Sequence, residues 1–306
     1  MTPVTIIGAS GRSGLALCRA LLAAGTPIIP IVRNPAKWHA AGLPAAPRIA
    51  DLRDPAALAA ALAGAERVVS CAHARHTAAI LAALPPGAPL IALGSTRRFT
   101  KWPDAHGAGV IAGETAFLAS GRAGVMLHPT MIYGAQGEDN VQRLARLLAR
   151  LPVLPLPGGG RALVQPIHQD DVIRCILAAL EIAWTGPRTL VIAGPAALPY
   201  AEFVAAIGRA AGLAPRRVVA LPAGPLMAAA LATRAIPRMP TIRPAEIRRL
   251  LEDKAFDVGP MRATLGVEPI PLEEGLARTF ARPDTSLKPA STPCPSSTAS
   301  PTSTPT

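Results

Sequence analysis

The sequence predicts an α/β fold, a doubly wound parallel sheet followed by a smaller C-terminal α/β lobe. Three observations support this. Short, mostly apolar runs (Val4–Ile7, Ile28–Val32, Val68–Ser70, Leu90–Leu93, Val125–Leu127) alternate with helical segments, as strands covered on both faces do. A glycine-rich turn follows the first run directly. After about residue 135 the rhythm changes, with shorter runs and many prolines.

In order, Val4–Ile7 reads as a strand, and a helix runs from about Gly14 to Ala24. Strands follow at Ile28–Val32 and near Ile49. The next helix opens at Asp54-Pro55, an N-cap with proline at its favoured first position. Val68–Ser70 and Leu90–Leu93 each follow a glycine-marked turn, and Val125–Leu127 precedes His128-Pro129. Further on, a helix from about Asn140 to Arg150 ends in the Pro/Gly-rich stretch Leu151–Gly160, and Asp170 caps a helix reaching about Trp184. Residues 284–306 are Ser, Thr and Pro with almost nothing to bury, a composition that predicts disorder. The expected division is 1–135 for the first domain, 136–283 for a smaller lobe able to exchange strands with it, and 284–306 for the tail.

A net charge of +12 over 306 residues raises the question of nucleic acid. The cations are nearly all arginine, with lysine only at Lys37, Lys101, Lys254 and Lys288. They are scattered, and no basic stripe is interleaved with aromatics. Such a surface argues against nucleic-acid recognition and suits an anionic cofactor. Cys18, Cys71, Cys175 and Cys294 are far apart, which argues against a disulfide framework or structural zinc and fits a reducing compartment. His73 and His76 lie a helical turn apart, but no third metal ligand is placed by spacing. The N-terminus enters a strand without a basic leader, and Pro225–Ala232 is too short to span a bilayer, so Leu226–Leu231 is expected in a core helix. The expectation is a cytoplasmic protein without membrane association.

The strongest signal is Gly8-Ala9-Ser10-Gly11-Arg12-Ser13-Gly14 between the first strand and its helix. Gly8 permits the tight turn, Gly11 lets backbone approach a pyrophosphate, and Gly14 lets the helix pack closely on the sheet. The helix start offers amides and a positive dipole end to the phosphates. The pattern predicts a Rossmann-type dinucleotide site. An acidic residue usually ends the second strand where NAD(H) binds, taking the ribose hydroxyls. Here that end reads Val32-Arg33-Asn34-Pro35-Ala36-Lys37. Arg33 and Arg12, with Lys37 as a third cation, suit an adenosine 2′-phosphate, so NADP(H) is expected over NAD(H).

With these residues in hand, the chain resembles the atypical, extended branch of the short-chain dehydrogenase/reductase superfamily. It is most similar to NmrA-like and complex I 39-kDa-subunit-like NAD(P)-binding proteins and to the sugar-nucleotide epimerase/dehydratases. The resemblance covers about residues 3 to 282. Besides the glycine turn it rests on Asp51-Leu52-Arg53-Asp54, Leu93-Gly94-Ser95-Thr96, Pro129-Thr130-Met131-Ile132-Tyr133-Gly134, Gly158-Gly159-Gly160 and Gln165-Pro166-Ile167-His168-Gln169-Asp170-Asp171-Val172. It implies that Asp51 and Leu52 hold the adenine edge. It also implies that Cys71, Ala72 and His73 line the pyrophosphate and ribose, and that Pro129 and Thr130 lie by the nicotinamide. Asp170 and Asp171 read as a helix cap and a lobe-joining hydrogen bond rather than an acid/base pair.

The chain departs from the family at its catalytic pair. Active members carry Tyr-x-x-x-Lys, the Tyr exchanging a proton and the Lys lowering its pKa. Counting back from Gly113-Glu114 puts His106 where Tyr would stand and Val110 where Lys would stand, and His128 where relatives often have Arg. A histidine can move a proton near neutral pH, but valine cannot replace a cation. Ser95 and Thr96 could polarise a carbonyl, and Tyr133 either lines the substrate cleft or packs. Arg97, Arg98 and Arg161 are candidates for an acidic group on the substrate. Two readings follow: an NADP(H)-dependent oxidoreductase or epimerase with non-standard proton transfer through Ser95, His106 or Tyr133, or a catalytically silent NADP(H)-binding redox sensor or structural subunit.

Overall fold

The computed structural model describes residues 2–134, 140–232 and 244–281; the tail expected over 284–306 lies outside them. In the first half, β1 (Val4–Ile7), α1 (Arg12–Ala23), β2 (Ile28–Val32), α2 (Pro35–His39), β3 (Arg48–Ile49), α3 (Pro55–Leu62), β4 (Arg67–Ser70), α4 (Thr77–Ala83), β5 (Leu90–Leu93), α5 (Ala105–Ala119) and β6 (Gly124–Pro129) follow one another. Helix α1 starts at Arg12, two residues before the expected Gly14, because extended Gly11 (φ −78°, ψ 168°) is already its N-cap. Asp54 caps α3, accepting from Ala56 N at 3.0 Å and Ala57 N at 3.1 Å.

The second half holds β7 (Ile132–Tyr133), α6 (Asn140–Arg150), β8 (Val153–Pro157), β9 (Leu163–Val164), β10 (Ile167–His168), α7 (Gln169–Leu180), β11 (Pro187–Ile192), β12 (Leu198–Pro199), α8 (Tyr200–Ala210), β13 (Arg217–Leu221), α9 (Ala223–Ala232), α10 (Pro244–Arg249), α11 (Gly259–Leu265) and α12 (Leu272–Phe280). Seven strands form one parallel sheet in the order β11-β6-β5-β4-β1-β2-β3. Side chains alternate across it as a strand's period of two requires. Ile6, Val69, Ile91 and Val125 face a core shared with α1, α7 and α11. Ile7, Val68, Leu90 and Met126 face a core shared with α3, α4 and α5. The chain reverses its direction of travel across the sheet between β1 and β4, which opens a crevice at their carboxyl ends, where ligands of such sheets bind.

Strand β11 pairs with β6 from Pro187↔Gly124 to Ile192↔Pro129, and Ser13 Oγ of α1 donates to Gln169 Oε1 of α7 at 3.3 Å, so both halves of the chain build this body. A separate core joins Tyr133, Val141, Leu148, Leu154, Phe203, Ile207 and Leu276. The stretch 151–160, read from its prolines and glycines as a mere ending, contains β8. Its Leu154 and Leu156 are buried at alternate positions, and it pairs in parallel with β13. In a two-stranded ribbon both strands have a free edge, which tolerates Pro155 and Pro157. Asp170 is not the cap of α7: His168 is, its Nδ1 accepting from Asp170 N at 3.2 Å. The helix ends at Leu180 rather than near Trp184, whose Nε1 donates back to Ala179 O at 2.8 Å. Asp171 is fully buried and accepts from Ile270 N at 2.9 Å. In α9, Leu226 and Ala230 pack on Ile247 of α10. Among the described residues no helix is long and apolar enough to cross a membrane.

Candidate functional site

The glycine turn sits where the sheet reverses. Gly8 has φ +75°, and its amide and that of Ala9 donate to Ile31 O at 3.0 and 3.3 Å. Gly11 N then donates to Gly8 O at 2.9 Å. A Cβ on Gly8 would lie 3.1 Å from Ala72 N, and one on Gly14 only 2.3 Å from Gly8 O and 2.9 Å from Ala9 Cα. The start of α1 is therefore held against bare backbone. No side chain caps it, which leaves its first-turn amides to a ligand. Ala9 is buried, Ser10 and Ser13 are half-buried, and Gly11 and Arg12 are exposed. Behind Gly8, Cys71 N donates to Ile7 O at 2.9 Å, which places half-buried Cys71 and Ala72 along the same crevice.

On the far side of the sheet edge, Thr130 N donates to Ile192 O at 3.0 Å and the Pro129 carbonyl accepts from Thr96 Oγ1 at 3.1 Å. Thr130 Oγ1 and Gln169 Nε2 are buried with no hydrogen-bond partner among the described residues. Buried polar atoms are normally satisfied. Orphans in residues at this edge, together with a cradle that a Cβ would fill, fit a site built for a bound dinucleotide.

At the other end of the crevice Arg33 is exposed just past β2, and Asp51 is taken by Arg53 (Nη2–Oδ2 2.7 Å). That guanidinium, with the Arg53 amide at 3.0 Å, holds the Asp51 carboxyl well below the usual range, and Arg33 acts in the same direction. Leu52 packs against the core on the α3–α5 side.

Ser95 ends β5's loop with its Oγ accepting from Arg97 N at 3.2 Å. Its amide donates to His128 Nδ1 at 3.1 Å. His128 is 1% exposed, and its Nε2 lies 3.4 Å from Glu114 Oε2, while Arg98 binds Glu114 Oε1 at 2.6 Å. Burial above all, then Arg98, pushes His128 down to about 4, so it stands neutral at physiological pH. Arg97 is paired with Asp104, which also accepts from Gly107 N at 2.7 Å as the cap of α5. Two of the arginines expected to await an acidic substrate are thus engaged within the protein. Arg161 lines a shallow recess with Gly158, Leu250 and Asp253.

His106 opens α5 and meets His73, from the turn after β4, at 2.7 Å. Val110 is 1% exposed in the core on the α3–α5 side, so no cation has a place there. Tyr133, expected in the cleft or in packing, packs. It is 1% exposed, its ring stands edge-on to His168 at 5.2 Å, and burial drives its pKa up. A Cβ on Gly275 would touch its hydroxyl, so α12 closes over it.

Sequence reasoning missed the buried chain Arg98–Glu114–His128 and the role of Glu252. The Glu252 carboxylate, 4% exposed, accepts from Thr100 Oγ1 at 2.9 Å and from the Lys101 amide, clamping the second lobe onto the loop that carries Ser95. Partners about 150 residues apart leave no local pattern to find.

Residues 8–101 match a family model described as NAD(P)H-binding. Uncharacterized proteins of Mycobacterium tuberculosis and Mycobacterium bovis are 31% identical over 218 residues, which is 67% of this chain and 23% of each relative. The chain thus spans about a quarter of the length of those curated relatives. Among solved structures, the NADPH-dependent quinone oxidoreductase of Escherichia coli complexed with NADPH is 20% identical with a TM-score of 0.70, covering 90% of this chain and 99% of its own. The UDP-glucuronic acid 4-epimerase of Bacillus cereus, in complex with UDP-glucuronic acid and NAD, is 16% identical with a TM-score of 0.68, covering 91% and 98%. At these identities the likeness to the solved structures is one of fold.

Proposed function

We propose that this chain, which carries an NAD(P)H-binding domain on the fold of the short-chain dehydrogenase/reductase and epimerase/dehydratase superfamily, is an NADP(H)-dependent oxidoreductase acting on the carbonyl of a small molecule. The observation that carries this reading is the uncapped start of α1 against the Gly8 turn, with exposed Arg33 and no acid at the end of β2. The pyrophosphate lies on the amides between Ser10 and Gly14, with Cys71, Ala72 and His73 along its other side. The 2′-phosphate meets Arg33 and Arg12. Asp51 does not repel it, because Arg53 neutralises that carboxylate at close range. Pro129 and Thr130 border the nicotinamide, and the orphaned Thr130 hydroxyl is free to bond its carboxamide. When bound, the nicotinamide supplies a hydride; the protein supplies position and electrostatics. The acceptor's oxygen is met by Ser95 and His106.

Calorimetry with NADPH and NADH tests the cofactor. NADPH binds more tightly, and Arg33→Ala removes most of the difference. Equal affinity in the wild type would defeat the NADP(H) preference, and absence of heat with both would defeat the whole reading. A second reading, a silent NADP(H)-binding sensor, is favoured by one observation, the burial of Val110 where a cation would be needed. Tight NADPH binding without oxidation by any of a panel of quinones and aldehydes would select it.

A further inference from the structure

We propose that His73 and His106 form a neutral, directional pair in which His106 presents its Nε2–H to the oxygen of the substrate carbonyl, while His73 is the positioning residue that holds this tautomer. The proposal rests on the oxidoreductase reading above and names the group that does the work of the absent tyrosine.

The direction starts from a backbone amide. Arg75 N donates to His73 Nδ1 at 3.0 Å, and an amide can only donate, so that ring nitrogen carries no proton. Neutral His73 must then carry its proton on Nε2. That atom lies 2.7 Å from His106 Nδ1, which therefore accepts. The proton of His106 is left on Nε2, which has no hydrogen-bond partner among the described residues. Two consecutive bonds thus fix both tautomers, and the outer end of the pair is a donor.

The same arrangement resists an added proton. The two unprotonated nitrogens, His73 Nδ1 and His106 Nδ1, already face donors, so a third proton would put two N–H groups against each other. The surroundings agree: Arg75 and His76 stand on the turn of His73, Arg97 on the loop before α5, and Arg249 at the end of α10. Asp104, which favours the charged form of His106, is paired with Arg97. Burial and these cations push His73 down to about 4 and His106 below its usual value.

Glycines on α5 permit the contact. A Cβ on Gly113 would lie 2.0 Å from Ala74 O, and one on Gly109 3.1 Å from His73 Cε1, so the turn after β4 lies directly on the helix. A neutral imidazole can polarise a carbonyl without giving up its proton. Here His106 keeps its proton, and the oxygen takes its own from water after charge has built up on it.

The test uses the full chain labelled with 15N. Long-range 1H–15N correlation spectra at neutral pH should show His73 and His106 as neutral Nε2–H tautomers. His106→Phe should lower kcat for NADPH oxidation by phenanthrenequinone about a hundredfold, with NADPH affinity unchanged. His73→Phe should leave His106 Nδ1 without its donor and so open to a proton, raising the pKa of His106 and adding an acid limb to the kcat profile. His73→Gln, whose amide can still donate to His106, should remove that limb again. A cationic or Nδ1–H His106 at neutral pH, or a His106→Phe variant as fast as the wild type, would overturn the proposal. Failure of the wild type to bind NADPH would instead overturn the oxidoreductase reading, and with it the substrate role of His106, whatever the spectra show.

Discussion

The buried histidine of β6 makes stability depend on pH in a way that can be worked out beforehand. His128 is 1% exposed, with Nδ1 held by the Ser95 amide, Nε2 facing Glu114, and Arg98 beyond. Its pKa falls from 6.5 to about 4 on folding, chiefly because burial penalises the charged ring. The unfolded chain therefore takes up a proton at about pH 6.5 that the folded chain refuses until about pH 4. Stability is fully present above 6.5 and is lost as pH falls through that window. At about pH 5 the loss from this one group is about 2 kcal/mol. Urea unfolding at about pH 7.5 and about pH 5 measures it, with His128→Gln as the reference that cannot titrate. The wild type should lose about 2 kcal/mol more than the variant between the two conditions. If both lose the same, His128 is not buried in its neutral form and the network around Glu114 is wrongly drawn.

Gly14→Ala forces a methyl onto the Gly8 carbonyl, where only 2.3 Å is available. It should cost about 1–3 kcal/mol of stability and weaken NADPH binding about tenfold or more, read by thermal unfolding and calorimetry. Glu252→Ala strips the Thr100 hydroxyl and Lys101 amide of their buried acceptor. A loss of about 2 kcal/mol in urea unfolding is expected, with Glu252→Gln recovering part of it. Asp51→Ala removes a carboxylate that Arg53 already neutralises. NADPH affinity should change less than threefold or so by calorimetry, since solvent screens an exposed pair of this kind.

The parts of the molecule that were legible from sequence are those whose chemistry is local. Strands β1, β2 and β5 and helix α6 fall where their apolar runs and periodicity put them, and the glycine turn falls at the first βα crossover. Asp54 caps its helix because an Asx side chain next to proline has that local option. Asp170 did not, since His168, two residues earlier, offers a ring nitrogen to the same helix start, and no capping preference names histidine. Strand β8 was hidden by its prolines, which argue against a central strand but not against a ribbon with open edges. His73 and His106 each drew attention singly, for different reasons. Their union depends on β4 and β5 being neighbours and on a turn lying flat on α5, which is a property of the assembled sheet. Glu252 carried no signal at all, because its partners come from the opposite half of the chain.

The glycines that let the turn settle on α5 have a further cost. Gly109 and Gly113, with Gly107 in the first turn, each disfavour a helix by about 1 kcal/mol relative to alanine, so α5 by itself would barely hold together. Its coil is secured from outside, by the sheet beneath and the turn above. Amide exchange in the interior of Ala105–Ala119 should therefore follow the opening of the layers around the helix, and the imidazole at its start stays aligned only while they remain closed.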